Sequence, residues 1–186
     1  DPGAQPLGRL LPPDAGAAVQ QALADAGVRF HFGTSVQAVD ADGEGLRLSL
    51  AQGQSLHSDL VLSAVGLRPR TALAQAAGLQ VARGIVVNRQ LQTSDPQVYA
   101  VGDVAEVEGQ WLPFVMPLMQ AARTLAAHLA GQAAQLRYPA MPVVVKTPAA
   151  PVVVAPPPPG LVGQWHTVPC DNGLEAQWLD AQGTLQ

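Results

Sequence analysis

Cysteine, lysine and aromatic side chains are scarce in these 186 residues. A single cysteine, Cys170, excludes an internal disulfide. It also makes a reducing compartment, hence the cytoplasm, the expected location. The four histidines are scattered and Cys170 has no ligand-spaced partner, so no metal centre is expected. Lys146 is the only lysine among ten basic residues, the net charge is −4, and no basic stripe runs along the chain. A nucleic-acid partner is therefore not expected. No apolar run approaches the roughly 18–20 residues that a membrane-spanning helix needs, and no charged n-region precedes an apolar stretch at the start. No Gly-x-Ser-x-Gly elbow marks a serine hydrolase. Nor is there a Gly-x-Gly-x-x-Gly loop to hold a pyrophosphate at a helix start; the only Gly-x-Gly, Gly43-Glu44-Gly45, lies in an expected hairpin turn.

What is abundant is alanine, glycine and proline. The 17 prolines predict irregular connections, while 48% hydrophobic residues suffice for the core of one large or two small α/β domains. The chain begins Asp1-Pro2-Gly3 without a methionine and stops at Gly183-Thr184-Leu185-Gln186, where a new strand is expected after a turn. Both ends read as cuts in a longer protein.

Periodicity gives the following elements. Asp14 is placed to cap a helix over 14–26, with Ala18, Val19, Ala22, Leu23 and Ala26 on one face and Gly27 as its stop. A strand is expected at 28–32. Antiparallel strands at 36–39, 46–50 and 54–57 follow, around the Asp42-Gly43 and Gln52-Gly53 turns. The continuous apolar run 60–65 reads as a strand buried on both faces. A short helix at 71–77 has Thr71 as N-cap and Gly78 as stop, and a strand follows at 85–88. Pro117 opens a helix to about residue 130, as proline does at N1, and Gly131 closes it. Leu118, Ala121, Ala122, Leu125 and Leu129 form its apolar stripe. Beyond Pro139 the chain turns β-rich, with strands at 143–145, 152–154, 164–168 and 174–179. Pro156 to Pro159 form a stiff polyproline spacer, or a ligand for a groove of the SH3 type.

Three stretches carry chemistry. In Thr93-Ser94-Asp95-Pro96-Gln97-Val98-Tyr99-Ala100-Val101-Gly102-Asp103 an apolar strand at 98–101 runs into Gly-Asp. The carboxylate then sits at the carboxyl end of a strand, where open α/β sheets bind ligands. Gly102 admits close approach and Asp103 is an acceptor-only group. Strand plus Gly-Asp alone is also ordinary turn chemistry. In Val115-Met116-Pro117-Leu118-Met119 a helix start offers free N–H groups and a positive dipole end; taken alone it is only a helix start. Lys146 stands after Val143-Val144-Val145 and before Thr147-Pro148, as a point charge or as a solvated strand end.

The eleven-residue run resembles the second flavin-binding motif of two-dinucleotide-domain flavoprotein reductases, in which the Asp bonds the ribityl chain of FAD. The stretch Asp59-Leu60-Val61-Leu62-Ser63-Ala64-Val65-Gly66-Leu67-Arg68-Pro69-Arg70-Thr71 resembles the exit strand of their nicotinamide domain. From Ala26-Gly27-Val28-Arg29-Phe30-His31 through Val143-Val144-Val145-Lys146-Thr147-Pro148-Ala149, nearly the whole chain resembles the rubredoxin–NAD(+) reductase family of FAD-dependent pyridine nucleotide reductases. The likeness implies an α/β fold: part of a two-dinucleotide-domain flavoprotein reductase followed by a small C-terminal α+β domain. It implies 1–66 as the latter part of an NAD(P)H domain, 67–134 as the returning part of an FAD domain, and 135–186 as a truncated rubredoxin-docking domain. It further implies Gly102, Asp103, Val115, Met116 and Lys146 as flavin contacts. Rubredoxin or a similar small iron protein is the implied partner, and electrons pass to it from NADH through FAD in support of alkane hydroxylation. No catalytic side chain is assigned, because hydride transfer between the two cofactors needs positioning rather than an acid or base.

The FAD and NAD sites are both incomplete here, since neither glycine loop is present, and the chain alone is expected not to hold FAD stably. Disulfide reductases of the same superfamily use a His-Pro pair, and none of His31, His57, His128 or His166 precedes a proline. Two alternatives remain open: a ferredoxin reductase of an oxygenase system, and a non-catalytic module that docks an electron carrier.

Overall fold

The computed structural model describes residues 1–157, 160–171 and 173–185. In chain order the elements are α1 (Pro13–Asp25), β1 (Val36–Asp42), β2 (Gly45–Leu50), β3 (Ser55–Ser58), α2 (Ala72–Ala76), β4 (Ile85–Val87), β5 (Ala105–Val107), α3 (Val115–Leu129), β6 (Val143–Val145), β7 (Val152–Val154), β8 (Gln164–Cys170) and β9 (Gly173–Leu179). They fall into two compact units, one of Asp1–Ser63 with Pro142–Gln186 and one of Ala64–Met141.

In the first unit β1, β2 and β3 form an antiparallel meander, turning where Asp42-Gly43 and Gln52-Gly53 predicted. Gly43 and Gly53 take φ of +62° and +79° there, a region glycine enters without cost. β6 pairs antiparallel with β7, and β8 with β9. The inner face of α1 packs on the β6–β7 hairpin: Leu11, Val19 and Val154 are buried, with Leu7, Leu10, Ala15, Leu23, Val143 and Val152 against them. The buried stripe of α1 therefore includes Val19 and Leu23, but Ala18 and Ala26 face solvent. Asp14 is not the cap. Pro12 holds the N-cap position, and Pro13 at N1 needs no donor partner.

In the second unit β4 and β5 run parallel. Val87, Leu91, Ala100, Ala105, Val107, Ala121 and Leu136 form its core. Gly27, Gly78 and Gly131 end the three helices as expected, each in a Schellman motif. For α3, Gly131 N–H donates to His128 C=O (3.0 Å) and Gln132 N–H to Ala127 C=O (3.0 Å). α3 starts two residues earlier than expected, so Pro117 stands at N3, where its missing N–H still costs no intrahelical bond. Its buried residues are Pro117 and Ala121, with Leu125 partly buried; Leu118, Ala122 and Leu129 of the expected stripe are exposed.

Three expected strands are not formed. Residues 28–32 and 60–65 belong to no ladder, and 98–101 carries only an isolated bridge from Tyr99 to Gln92. A strand exists only where a neighbour takes its N–H and C=O groups. Among the described residues none pairs with the first two. Within the first, Phe30 stacks on Phe32 with ring centroids 5.1 Å apart. The run expected to be buried on both faces is instead open, Leu60, Leu62 and Val65 being 81, 86 and 93% exposed. The paired strand β5 follows the Gly-Asp rather than preceding it. After Gly183 a single bridge joins Leu185 to Leu179. Of the polyproline segment, Pro158 and Pro159 lie outside the described residues.

Candidate functional site

Gly102 and Asp103 form the turn that leads into β5, closed by Ala105 N–H donating to Gly102 C=O (3.0 Å). Gly102 has a φ of +87°, and a Cβ there would stand 3.3 Å from Leu118 Cδ1. The turn thus lies against the Leu118 side chain of α3, and its backbone conformation is the one that favours glycine. Asp103 is exposed, and its carboxylate has no hydrogen-bond partner among the described residues.

α3 begins without a side-chain cap and without an acidic residue in its first turn. Its first intrahelical bond runs from Leu118 N–H to Phe114 C=O (3.2 Å), and the N–H groups of Val115 and Met116 have no partner among the described residues. Val115 and Met116 are exposed. The structure therefore sets Gly102, with Asp103 next to it in sequence, against Leu118 near the start of the helix that opens with Val115 and Met116. A bare positive helix end and an unengaged carboxylate acceptor stand beside a glycine that allows close approach. This combination suits a ligand carrying both hydroxyl donors and an edge that gathers negative charge. Lys146 is exposed after β6, where Ala150 N–H donates to Thr147 C=O (3.0 Å), and it belongs to the other unit.

Residues around the turn that the sequence reading missed are Trp111, Arg83 and Glu106. Trp111 Nε1 donates to the Asp103 carbonyl (2.7 Å), and the Arg83 guanidinium lies 4.1 Å from the centre of the indole. Glu106 is buried in β5, and its Oε2 accepts from Gly84 N–H (2.8 Å), which gives the buried side chain a partner. In an Ala-Glu-Val strand the alternation would have placed Glu106 toward solvent. Only its partner, 22 residues earlier, reveals otherwise. Among the described residues no three His, Cys, Asp or Glu side chains gather to hold a metal ion, and no helix is long and apolar enough to cross a membrane.

Residues 2–128 match the family described as pyridine nucleotide-disulphide oxidoreductase, and the chain belongs to that family. Residues 135–186 match the rubredoxin binding C-terminal domain. The chain is 45% identical to a rubredoxin-NAD(+) reductase of Acinetobacter baylyi, over 98% of this chain and 47% of that protein. It is 47% identical to a rubredoxin-NAD(+) reductase of Alcanivorax borkumensis, over 97% of this chain and 49% of that one. Among solved structures, the ferredoxin reductase for the CYP199A2 system of Rhodopseudomonas palustris superposes with a TM-score of 0.83 at 28% identity, covering 96% of this chain and 46% of its own. The chain spans about half the length of the curated relatives it matches.

Proposed function

We propose that these residues are the latter part of an FAD-dependent NADH:rubredoxin reductase that works in the cytoplasm. The observation that carries this reading is the Gly102-Asp103 turn set against Leu118, in the opening turns of a helix that starts without a cap at Val115 and Met116. The rubredoxin binding match over 135–186 supports the acceptor. FAD, when bound, supplies the conversion of a two-electron hydride into two single electrons. Asp103 accepts from ribityl hydroxyls and fixes the chain that carries the ring. The start of α3 would offer its N–H groups to the negative charge that a reduced flavin gathers, which would favour the reduced cofactor. Lys146 is assigned as a further flavin contact on the family likeness alone. Residues 1–66 form the latter part of the nicotinamide domain, 67–134 the returning part of the flavin domain, and 135–186 the docking domain for the iron protein.

Neither the FAD nor the NADH pyrophosphate has a glycine loop in this sequence, so these 186 residues alone hold neither cofactor stably. The exposed apolar run at 60–65 supports the same conclusion, because side chains of that kind belong against a covering layer. Titrating the chain with FAD should leave flavin fluorescence unquenched; tight stoichiometric binding would overturn this point. The acceptor is tested on the intact flavoprotein carrying this sequence, with NADH and either rubredoxin or a plant-type ferredoxin. Faster reduction of rubredoxin is the expected result. A preference for ferredoxin would favour the second reading, which the Rhodopseudomonas likeness supports.

A further inference from the structure

We propose that Trp111, held under Arg83, is a positioning residue that sets Asp103 for its hydroxyl ligand. The inference rests on the flavin reading of Asp103. Backbone bonds hold the Gly102 carbonyl (from Ala105) and the Val104 carbonyl (from Ile85), but neither engages the peptide that follows Asp103. That peptide sets the direction in which the Asp103 side chain leaves the backbone, and the side chain itself has no partner among the described residues. Trp111 supplies the missing constraint. Its indole N–H donates to the Asp103 carbonyl at 2.7 Å, the short end of the range for such bonds.

The local sequence delivers the indole there. After β5 the chain reverses through Glu108 and Gly109, both at positive φ (49° and 77°), as a two-residue type I′ hairpin loop requires. Val107 and Gln110 exchange both backbone bonds across that loop (3.0 and 2.9 Å). Trp111 is thereby carried back beside the turn eight residues before it. Arg83 is anchored independently. Ile85 N–H donates to Val104 C=O (2.8 Å) and Gly84 N–H to the buried Glu106 carboxylate (2.8 Å). A Cβ on Gly84 would meet Val104 O at 2.7 Å, so only glycine lets Arg83 come this close to β5. The guanidinium then covers the indole face at 4.1 Å, within cation–π range, and holds the ring in the orientation its N–H needs.

The test is a double-mutant cycle on the intact flavoprotein carrying this sequence, with FAD dissociation constants read from flavin fluorescence quenching. Trp111→Phe keeps a ring beneath Arg83 and removes only the N–H. It should weaken FAD binding about three- to tenfold, the share of one hydrogen bond. In an Asp103→Ala background the same change should cost less than about twofold, because its target is gone. Equal losses in both backgrounds would mean that Trp111 serves only the fold, and no loss in either would overturn the inference outright. Asp103→Ala alone separates the two layers. If it leaves FAD affinity unchanged, the flavin reading of Asp103 falls and the inference falls with it; if it weakens FAD and Trp111→Phe does not, the inference alone fails. Should Trp111→Phe not fold, Arg83→Ala replaces it, with an expected loss of about two- to threefold that again vanishes without Asp103. Retention of that loss in the Asp103→Ala background would refute the clamp.

Discussion

Leu91 offers a test of the second unit's core in which two large effects oppose each other. Its side chain is fully buried, yet its backbone lies at φ +66°, where L-residues are strained. The strain comes from a loop organised by Asn88, whose Oδ1 accepts from Gln90 N–H (2.9 Å) and Gln92 N–H (3.1 Å), while Leu91 N–H donates to Asn88 C=O (2.9 Å). Leu91→Ala removes the core atoms but keeps the strain, and should cost about 2–5 kcal/mol. Leu91→Gly removes one more carbon, worth about 0.8 kcal/mol, and loosens the unfolded chain by about 0.4–1 kcal/mol. Against that it relieves about 1–2 kcal/mol of left-handed strain. The two variants should therefore be equally stable to within about 1 kcal/mol. At an ordinary negative φ, glycine would be worse than alanine by roughly 1.2–1.8 kcal/mol. Native-state hydrogen exchange at the Val107 and Ala121 amides reads the difference within this unit. Glycine falling about 2 kcal/mol below alanine would refute the left-handed loop and the strain assigned to it.

Three further outcomes are expected. In the intact flavoprotein, Lys146→Ala should lower the flavin potential or the FAD affinity; an unchanged potential, affinity and rate of rubredoxin reduction would remove its assigned role. The Arg89 guanidinium, bonded to Glu108 at 2.7 Å, holds that carboxyl below the ordinary glutamate range through the hydrogen bond and its charge. A depressed folded-state value means a contribution present above the unfolded glutamate value and lost as pH falls through the folded one. Arg89→Gln should therefore raise the Glu108 midpoint in a carbon-detected NMR titration, and an unmoved midpoint would deny the pairing. Finally, Trp165 and Trp178 face each other across β8 and β9 with centroids 5.4 Å apart and planes at 79°. Trp165→Ala should abolish their coupled circular-dichroism signal and cost about 0.5–1.5 kcal/mol beyond lost burial; a persisting signal would place its origin elsewhere.

Local chemistry was the legible part of this fold. Gly27, Gly78 and Gly131 end helices because only glycine enters the left-handed cap cheaply, and that is readable one residue at a time. Asp42-Gly43 and Gln52-Gly53 likewise announced the meander. Pairing was not legible, because a strand is a property of two segments. Residues 60–65 and 98–101 have strand composition, yet neither has a ladder partner among the described residues, whereas Ala105–Val107 acquires one in Ile85–Val87. At the candidate site, Gly102, Asp103, Val115 and Met116 were visible as motif residues. Trp111 and Arg83 were not, since their roles arise from a hairpin and a parallel pair that only the folded chain defines.

The scarcity of two side-chain types has a practical consequence. Lys146 carries the sequence's only ε-amine and Cys170 its only thiol, and both are exposed in the same unit. A thiol-directed dye can therefore be placed on Cys170 and an amine-directed dye on Lys146 once the terminal α-amine is blocked. The pair forms a built-in ruler between the end of β6 and the end of β8, both inside the segment 135–186 matched to rubredoxin binding. Energy transfer between the dyes would report any rearrangement of that unit when an iron protein docks, without a single engineered residue.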